Sequence, residues 1–437
     1  MKVVKNNDSQ NIEMYRRIEN KLPSDWCVES IRNICDLQNG MAFKPDEKND
    51  QGIGLPVVRI QNLNGSNKYD YYDKSVREQF LIKSGDVLFA WSGTTLGGYL
   101  WNGGDAILNQ HIFKIVPKNG INNQWLYYLF KTIITKRANN DSHGGGGLVH
   151  VNKGTFEEYL IPSPSEEEQE KIANFLSERE SYLQSIQTLI SKMEQRNQYY
   201  FDKIFLGDYE IVDEKVLFID NSEKQEISLN KKNIEINSRF SKKKIPEMVS
   251  LNKGGSVKKE DFNYEGSGTR YLRTSDVWED SSSTKDAVYY EGNNKGLVYK
   301  TKKDWIVCFD GYNKKPKKGT LGLVTNQGEG YCSGELHIVK GVDGISMEFV
   351  NIALLRSSYF QDLICRYGEE TTVKHAGKHV KTIELPYIPY EDQVVLNSKI
   401  KDMLNEVDLL KQLYSKEKQV FQWLCEKLVS GEYRIEE

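Results

Sequence analysis

The sequence predicts an α+β protein in which two related globular domains alternate with two long helices. Three observations predict it. Residues recur at a nearly constant offset along most of the chain, the front of each repeat breaks into short β-type runs, and the back of each repeat lacks helix breakers.

The repeat comes first because it frames everything else. Leu37, Gly40, Lys44, Arg59 and Leu63 recur as Leu251, Gly254, Lys258, Arg273 and Val277, at an offset of 214 (251 less 37). Tyr71, Asp86 and Gly93 recur as Tyr289, Asp304 and Gly311. From Thr95 and Thr320 onward the offset reads as 225 through His150/His375, Leu160/Leu385 and Pro164/Pro389, and Gln169 then matches Gln393 one position earlier. A period this long is a duplicated domain and not a solenoid.

In chain order, residues 1–21 form a polar N-terminal tail. Residues 22–164 form the first globular domain, with runs such as LPVVRIQNL, GDVLFAWSG and HIFKIVP separated by turn residues. A short helix is expected from Gln124 to Thr135, with a counterpart from Met347 to Tyr359. Residues 165–207 form a long helix, 208–238 a linker, 239–389 the second domain, 390–430 the second long helix and 431–437 a tail.

The helices follow from what is missing and what recurs. From Ser165 to Phe205 there is no Gly or Pro, and Ser165 is placed to cap the helix with Glu168 at the capping-box position. Leu176, Leu183 and Ile190 hold one heptad position while Ile186 and Met193 hold the other, with Arg179 and Asn197 as polar exceptions. The second helix repeats the stripe with Ile400, Val407 and Tyr414 against Met403 and Leu410, and Glu417 as its exception. A helix of about 40 residues is roughly 60 Å long, more than a small domain covers, so helix-against-helix burial is expected. Gly207 and Gly431 are natural stops.

Composition excludes several classes. With 38 % hydrophobic and 28 % charged residues the 437-residue chain reads as soluble and globular, and no apolar run reaches membrane-span length. The polar start carries no signal-peptide core, and six scattered cysteines form no C-x-x-C pair, so a cytoplasmic protein with free thiols and no metal is expected. Net charge is -3, but it is segregated: SEEEQEKI is acidic, whereas NKKPKK places Lys314, Lys315, Lys317 and Lys318 beside Tyr312. No [DN]-P-P-[YF] or P-loop pattern occurs, and the adjacent acids of Pro45-Asp46-Glu47-Lys48 cannot splay around a metal, so no catalytic centre is expected.

Candidate binding residues follow from chemistry and placement. Arg59, Asn62, Asn109 and Gln110 carry groups that pair with base edges, although amides at strand ends also form turns. Lys44, Lys258 and Arg273 are their basic neighbours and repeat mates. His150 and His375 occupy equivalent positions, each after a polar, Gly-containing stretch that would admit a phosphate backbone, or as hydrogen-bonded structural histidines. The lysine insertion occurs in one copy only and suits phosphate contact or a solvated loop.

These features together resemble the specificity subunit of type I restriction-modification enzymes. The residues that carry the resemblance are LPSDWCVESI (Leu22 to Ile31), GDVLFAWSG, and the proline pair of Leu160-Ile161-Pro162-Ser163-Pro164 leading into SEEEQEKIANFL. Leu385-Pro386-Tyr387-Ile388-Pro389 followed by YEDQVVL matches more loosely, and SRFSKKKIPEMVSL stands where a second Leu-Pro-x-x-Trp opening belongs. The resemblance spans about Leu22 to Tyr433. It implies two target recognition domains, each reading half of a split asymmetric site on double-stranded DNA. It implies an antiparallel coiled coil acting as a ruler and docking two methyltransferase subunits. Restriction and translocase subunits complete the complex, and S-adenosylmethionine, ATP and Mg are bound by partners, with no cofactor on this chain. The rival readings are a non-DNA interaction scaffold that dimerises through its helices, and an enzyme with an unfamiliar centre.

Overall fold

The structure, a computed structural model, describes residues 22–435 apart from 45–46, 94–95, 142–148, 221–222, 230–231, 274–275, 277–286, 293–295, 302–304, 309, 313–322, 326–328, 335, 343, 351–356, 360–372 and 376–383. The chain divides into two compact units, Met1–Gln187 with Gln412–Glu437, and Thr188–Lys411. Each unit thus takes half of each long helix as well as one globular domain, a division that crosses the linear boundaries expected from the sequence.

In the first unit, an antiparallel sheet orders Cys35–Asn39, Ile112–Pro117, Val87–Ala90 and Gly97–Leu100 side by side. Val87–Ala90 reads VLFA and is buried throughout, because this strand has neighbours on both edges and is covered on both faces. Phe89 meets Phe130 and Phe156 at ring-centroid distances of 5.8 and 4.8 Å, which anchors the helical segment around Phe130 and the short helix Lys153–Glu157 to this strand. The helix expected near Gln124 begins at Asn123 because the Asn122 side chain accepts from the backbone N–H groups of Gln124 and Trp125. It widens into a π-helical turn at Phe130–Ile134 before continuing as Thr135–Asp141. The backbone of Gly98 lies against that turn, where an added Cβ would come within 2.6 Å of the Phe130 carbonyl carbon.

A second sheet orders Asp70–Tyr72, Leu55–Val58, Ala106–Leu108 and Leu81–Ile82, with Leu55–Val58 parallel to Ala106–Leu108. Two small ribbons complete the domain: Ser92–Gly93 with Val149–His150, and Cys27–Ser30 with Leu160–Ser163.

The second unit repeats all four sheets. Val249–Lys253, Leu336–Gly341, Trp305–Cys308 and Leu323–Thr325 form the antiparallel sheet. Tyr289–Tyr290, Thr269–Leu272, Gly330–Cys332 and Tyr299–Lys300 form the mixed one, again with its central pair parallel. Asp310–Tyr312 pairs with Val373–His375, and Ser241–Lys244 with Glu384–Tyr387.

Pairing registers correct part of the repeat alignment. Leu385 lies opposite Lys243 as Ile161 lies opposite Glu29, so Ile161 and not Leu160 is its counterpart. Both are buried, and a one-residue slip would turn the apolar side chain to the other face of the ribbon. The offset there is 224 (385 less 161), already equal to that of the following helix, and Ile388 takes the place of Pro164. His150 and His375 keep equivalent places opposite Ser92 and Asp310.

The segment 208–238, expected as a linker, folds as two hairpins, Tyr209–Val212 with Lys215–Phe218 and Lys224–Leu229 with Lys232–Asn237. Asp213 and Glu214 turn the first with φ of 49° and 60°, the paired left-handed geometry of a two-residue hairpin. The first hairpin packs Ile211, Val216 and Phe218 against the core of its unit, which is why alternating apolar residues here make strands and not a free tether.

The long helices run Glu166–Leu206 and Tyr390–Val429. Ser165 caps the first, its hydroxyl accepting from the Glu168 N–H at 3.3 Å. The Glu168 carboxylate turns instead to Arg434, which also holds Asp25 at 3.0 Å. Within each unit the helices pair antiparallel. In the second, Glu194 meets Lys411 at 2.9 Å, Arg196 meets Glu406 at 3.0 Å, and Asn197 donates to the Met403 carbonyl at 3.1 Å. In the first, Leu176, Leu183, Phe421, Cys425 and Leu428 share one core. Leu176, Leu183, Ile186, Ile190, Ile400, Met403 and Val407 are buried as the heptads predict, whereas Met193, Leu410 and Tyr414 are half-buried. Asn197 is buried in the seam because its amide finds that carbonyl, while Arg179 is exposed.

Candidate functional site

A parallel strand pair releases its following residues at the same end, and this places the first unit's candidates together. Val58 runs into Arg59 and Leu108 into Asn109, and the Asn109 N–H donates to the Val58 carbonyl at 3.1 Å. The Gly40–Met41 loop crosses the same end: the Met41 N–H donates to Leu108 O at 2.7 Å and the Gln110 N–H to Met41 O at 2.9 Å. Gly40 is required there, since an added Cβ would lie 2.2 Å from Asn109 O. Beyond it, Trp91 N–H donates to His111 O and Val151 N–H to Trp91 O, each at 3.2 Å, which brings the Ser92–Gly93/Val149–His150 ribbon alongside. Gly93 would meet Ile60 Cδ1 at 3.1 Å through a Cβ, so this ribbon closes against the turn that begins at Arg59.

Arg59, Asn109, Gln110 and His150, with Lys44 just beyond the Gly40–Met41 loop, therefore come from separate segments to one end of the domain. Lys44 and His150 are exposed. Arg59 is half-buried, its Nη2 3.1 Å from Asp70 Oδ1, and Lys48 reaches the same carboxylate at 2.8 Å. Held this way, the guanidinium is oriented in advance, which lowers the entropy cost of any further contact made by its exposed part.

Asn62 is a correction. It is buried, its carbonyl accepts the Arg59 N–H at 2.9 Å, and its amide donates to Ser66 O and Lys68 O at 3.0 and 2.8 Å. A buried amide with both its N–H groups spent closing its own turn has no donor left for a base edge. The second unit shows the same position acting structurally, because Asp276 accepts the Arg273 N–H at 2.8 Å and binds the Arg273 Nε at 3.1 Å.

His111 and Trp91 escaped the sequence reading. His111 is exposed, its ring 5.9 Å from that of Trp91 and its Nε2 3.1 Å from Gln110 Nε2. Trp91 stacks on Phe113 with ring centroids 5.4 Å apart. The signal was the position directly after Gln110, which becomes meaningful only once the strand order is known.

In the second unit, Gly254 repeats the close crossing, since a Cβ added there would lie 2.2 Å from Ser333 O. The Ser333 N–H donates to Leu272 O at 2.9 Å as Asn109 does to Val58, so serine stands where the first unit has asparagine. Arg273 follows the parallel pair as Arg59 does. Lys258 is exposed and 3.2 Å from Glu260. Tyr312 and His375 lie in the ribbon that matches Ser92–Gly93/Val149–His150. Lys314, Lys315, Lys317 and Lys318 lie outside the described residues. Among the described residues no group of three or more His, Cys, Asp or Glu side chains is placed to hold a metal, and no helix is long and apolar enough to cross a membrane.

Comparison with known proteins agrees with this architecture. Residues 23–195 match the family described as type I restriction modification DNA specificity domain. The chain is similar to the type I restriction enzyme MjaIX specificity subunit of Methanocaldococcus jannaschii, 24 % identical over 263 residues and 58 % of each chain. It is similar to the EcoBI specificity subunit of Escherichia coli, 26 % identical over 171 residues, 39 % of this chain and 35 % of that one. These alignments span 58 % and 35 % of the two relatives' own lengths. The putative MjaX specificity subunit of M. jannaschii aligns over 97 % of both chains at 24 % identity. Among solved structures, the type I restriction-modification S subunit from M. genitalium has a TM-score of 0.51 at 17 % identity, covering 94 % of this chain and 97 % of that one. A structure described as underlying complex assembly and conformational transition of the type I R-M system has a TM-score of 0.54 at 15 % identity, covering 94 % and 100 %. At these identities the structural likeness is one of fold.

Proposed function

We propose that this chain, whose residues 23–195 match the family described as type I restriction modification DNA specificity domain, is the non-catalytic DNA-reading subunit of a type I restriction-modification complex. One observation carries the reading: the same domain end is built twice, each time with an arginine after the parallel strand pair and a glycine-admitted crossing loop. The side chains around that frame differ between the copies, Asn109-Gln110-His111 in one against Ser333-Gly334 in the other. A common frame with different polar groups suits the reading of two unlike half-sites on double-stranded DNA.

In this reading Arg59, Asn109, Gln110 and Arg273 meet base edges, while Lys44, Lys258, His150, His375, Tyr312 and the Lys314–Lys318 quartet meet the backbone. Two methyltransferase subunits dock on the helices, where Leu409, Leu413, Val420 and Trp423 are exposed apolar residues at heptad-like spacing along one element. Restriction and translocase subunits join the full complex. S-adenosylmethionine, ATP and Mg act in those partners, and the assembly works in the cytoplasm.

The test is to express the chain with the methyltransferase subunits and map methylated bases. A single split motif, together with duplex binding by the purified chain that weakens as salt rises, is the expected result. Absence of salt-dependent binding and of any methylated motif would favour the scaffold reading.

A further inference from the structure

Each long helix enters its unit over a buried glutamine. Gln169 and Gln393 lie in the first turn of their helices and are 2 % and 0 % exposed. Gln169 Oε1 accepts from the Asn122 N–H at 2.8 Å, and its Nε2 donates to Pro164 O at 3.0 Å. Gln393 Oε1 accepts from the Ser346 N–H at 2.9 Å, and its Nε2 donates to Ile388 O at 2.7 Å and Gly344 O at 3.2 Å.

The acceptor-side partners are themselves equivalent, because Asn122 and Ser346 are the N-caps of the domain helices behind the antiparallel sheets. The amide therefore ties three things at a point: the strand leaving the domain, the long helix, and the loop that starts the domain helix. An apolar residue of this size would close the same space without a primary amide to desolvate. What it would lack is direction. Apolar packing is non-directional, whereas hydrogen bonds hold donor and acceptor within a few tenths of an ångström and a limited angle.

We propose that Gln169 and Gln393 are positioning residues that set the angle at which each reading end is carried by its long helix, and so set how strictly the spacing between half-sites is measured. The proposal rests on the DNA-reading function above. Each glutamine acts through the domain frame, and neither touches DNA.

The test replaces both with methionine, which keeps length and removes the amide. Gln169→Met with Gln393→Met should retain helical circular dichroism and a cooperative melt. The Asn122 and Ser346 amides should lose hydrogen-exchange protection. In cells supplying the methyltransferase subunits, the variant should methylate its motif with spacers one base pair longer and shorter, which the unchanged chain leaves unmodified. A variant that keeps one spacer at the unchanged level would overturn the positioning role while leaving the DNA-reading function standing. If the unchanged chain yields no split motif, the functional reading fails and this proposal with it. Should the double variant not fold, Gln169→Glu carries the same measurement, since it keeps the acceptor for Asn122 and loses the donor to Pro164. A single unaltered spacer in that variant would count equally against the proposal.

Discussion

At the scale of the residue, chemistry alone does not tell a reader from a brace. Asn62 and Asn109 are the same residue type, yet Asn62 is consumed by its own helical turn Ile60–Leu63 and Asn109 stands directly at the shared strand end. Asn62→Ala should therefore cost stability, about 1–3 kcal/mol for buried groups left unpaired, and leave the methylated motif unchanged. Arg59→Ala should leave the melt nearly unchanged and relax one position in one half of the motif, which methylation mapping would register. The cysteines separate in the same way. Burial pushes the Cys35 and Cys425 thiols up to about 12, whereas Cys27 is exposed. A thiol reagent at pH 8 should label Cys27 and spare the other two in the folded chain. Because both buried thiols hold their protons in the folded state above the pKa they have when unfolded, the stability they contribute is complete below about pH 9 and is lost as pH rises from there toward 12. Thermal melts across that window check the sign.

At the scale of the element, the helices were legible because a heptad stripe needs no partner to be recognised. Leu176, Leu183, Ile190, Ile400 and Val407 are buried where the spacing predicts, and the polar Asn197 is tolerated in the stripe through its bond to Met403 O. Leu183→Ala should cost about 2–5 kcal/mol, the usual range for emptying a buried leucine site, as read by chemical denaturation. The ruler role that the resemblance implies gives a sharper expectation. Four residues inserted after Ile190 add about 6 Å of helix, nearly two base-pair steps, and keep the stripe with only a stutter. Both half-sites should survive with a spacer one or two base pairs longer. An unchanged spacer in an active variant would mean that partner subunits set the distance. The 208–238 hairpins were less legible, because strand formation there depends on packing against a core that the local sequence does not contain.

At the scale of the whole molecule, phosphate contact is an electrostatic sum. If Lys314, Lys315, Lys317 and Lys318 meet phosphates, replacing all four by Ala should reduce the slope of log K against log salt by up to about three to four, with specific and non-specific duplexes weakened alike. An unchanged slope would return the loop to solvent. The sequence by itself determined the duplication, the α+β class, the two helices with their buried stripes, and the resemblance on which the proposed function rests. All of these rest on periodicities and offsets that are properties of a string. The tertiary structure alone decided that each compact unit takes halves of both helices, that Ile161 and not Leu160 answers to Leu385, and that Gln169 and Gln393 close equivalent joints. It alone brought Arg59, Asn109, Gln110, His111 and His150 to one end. The physical reason is that strand register and long-range hydrogen bonds are settled between segments far apart in the chain, where a shift of one residue exchanges core for surface and no local pattern records which partner is met.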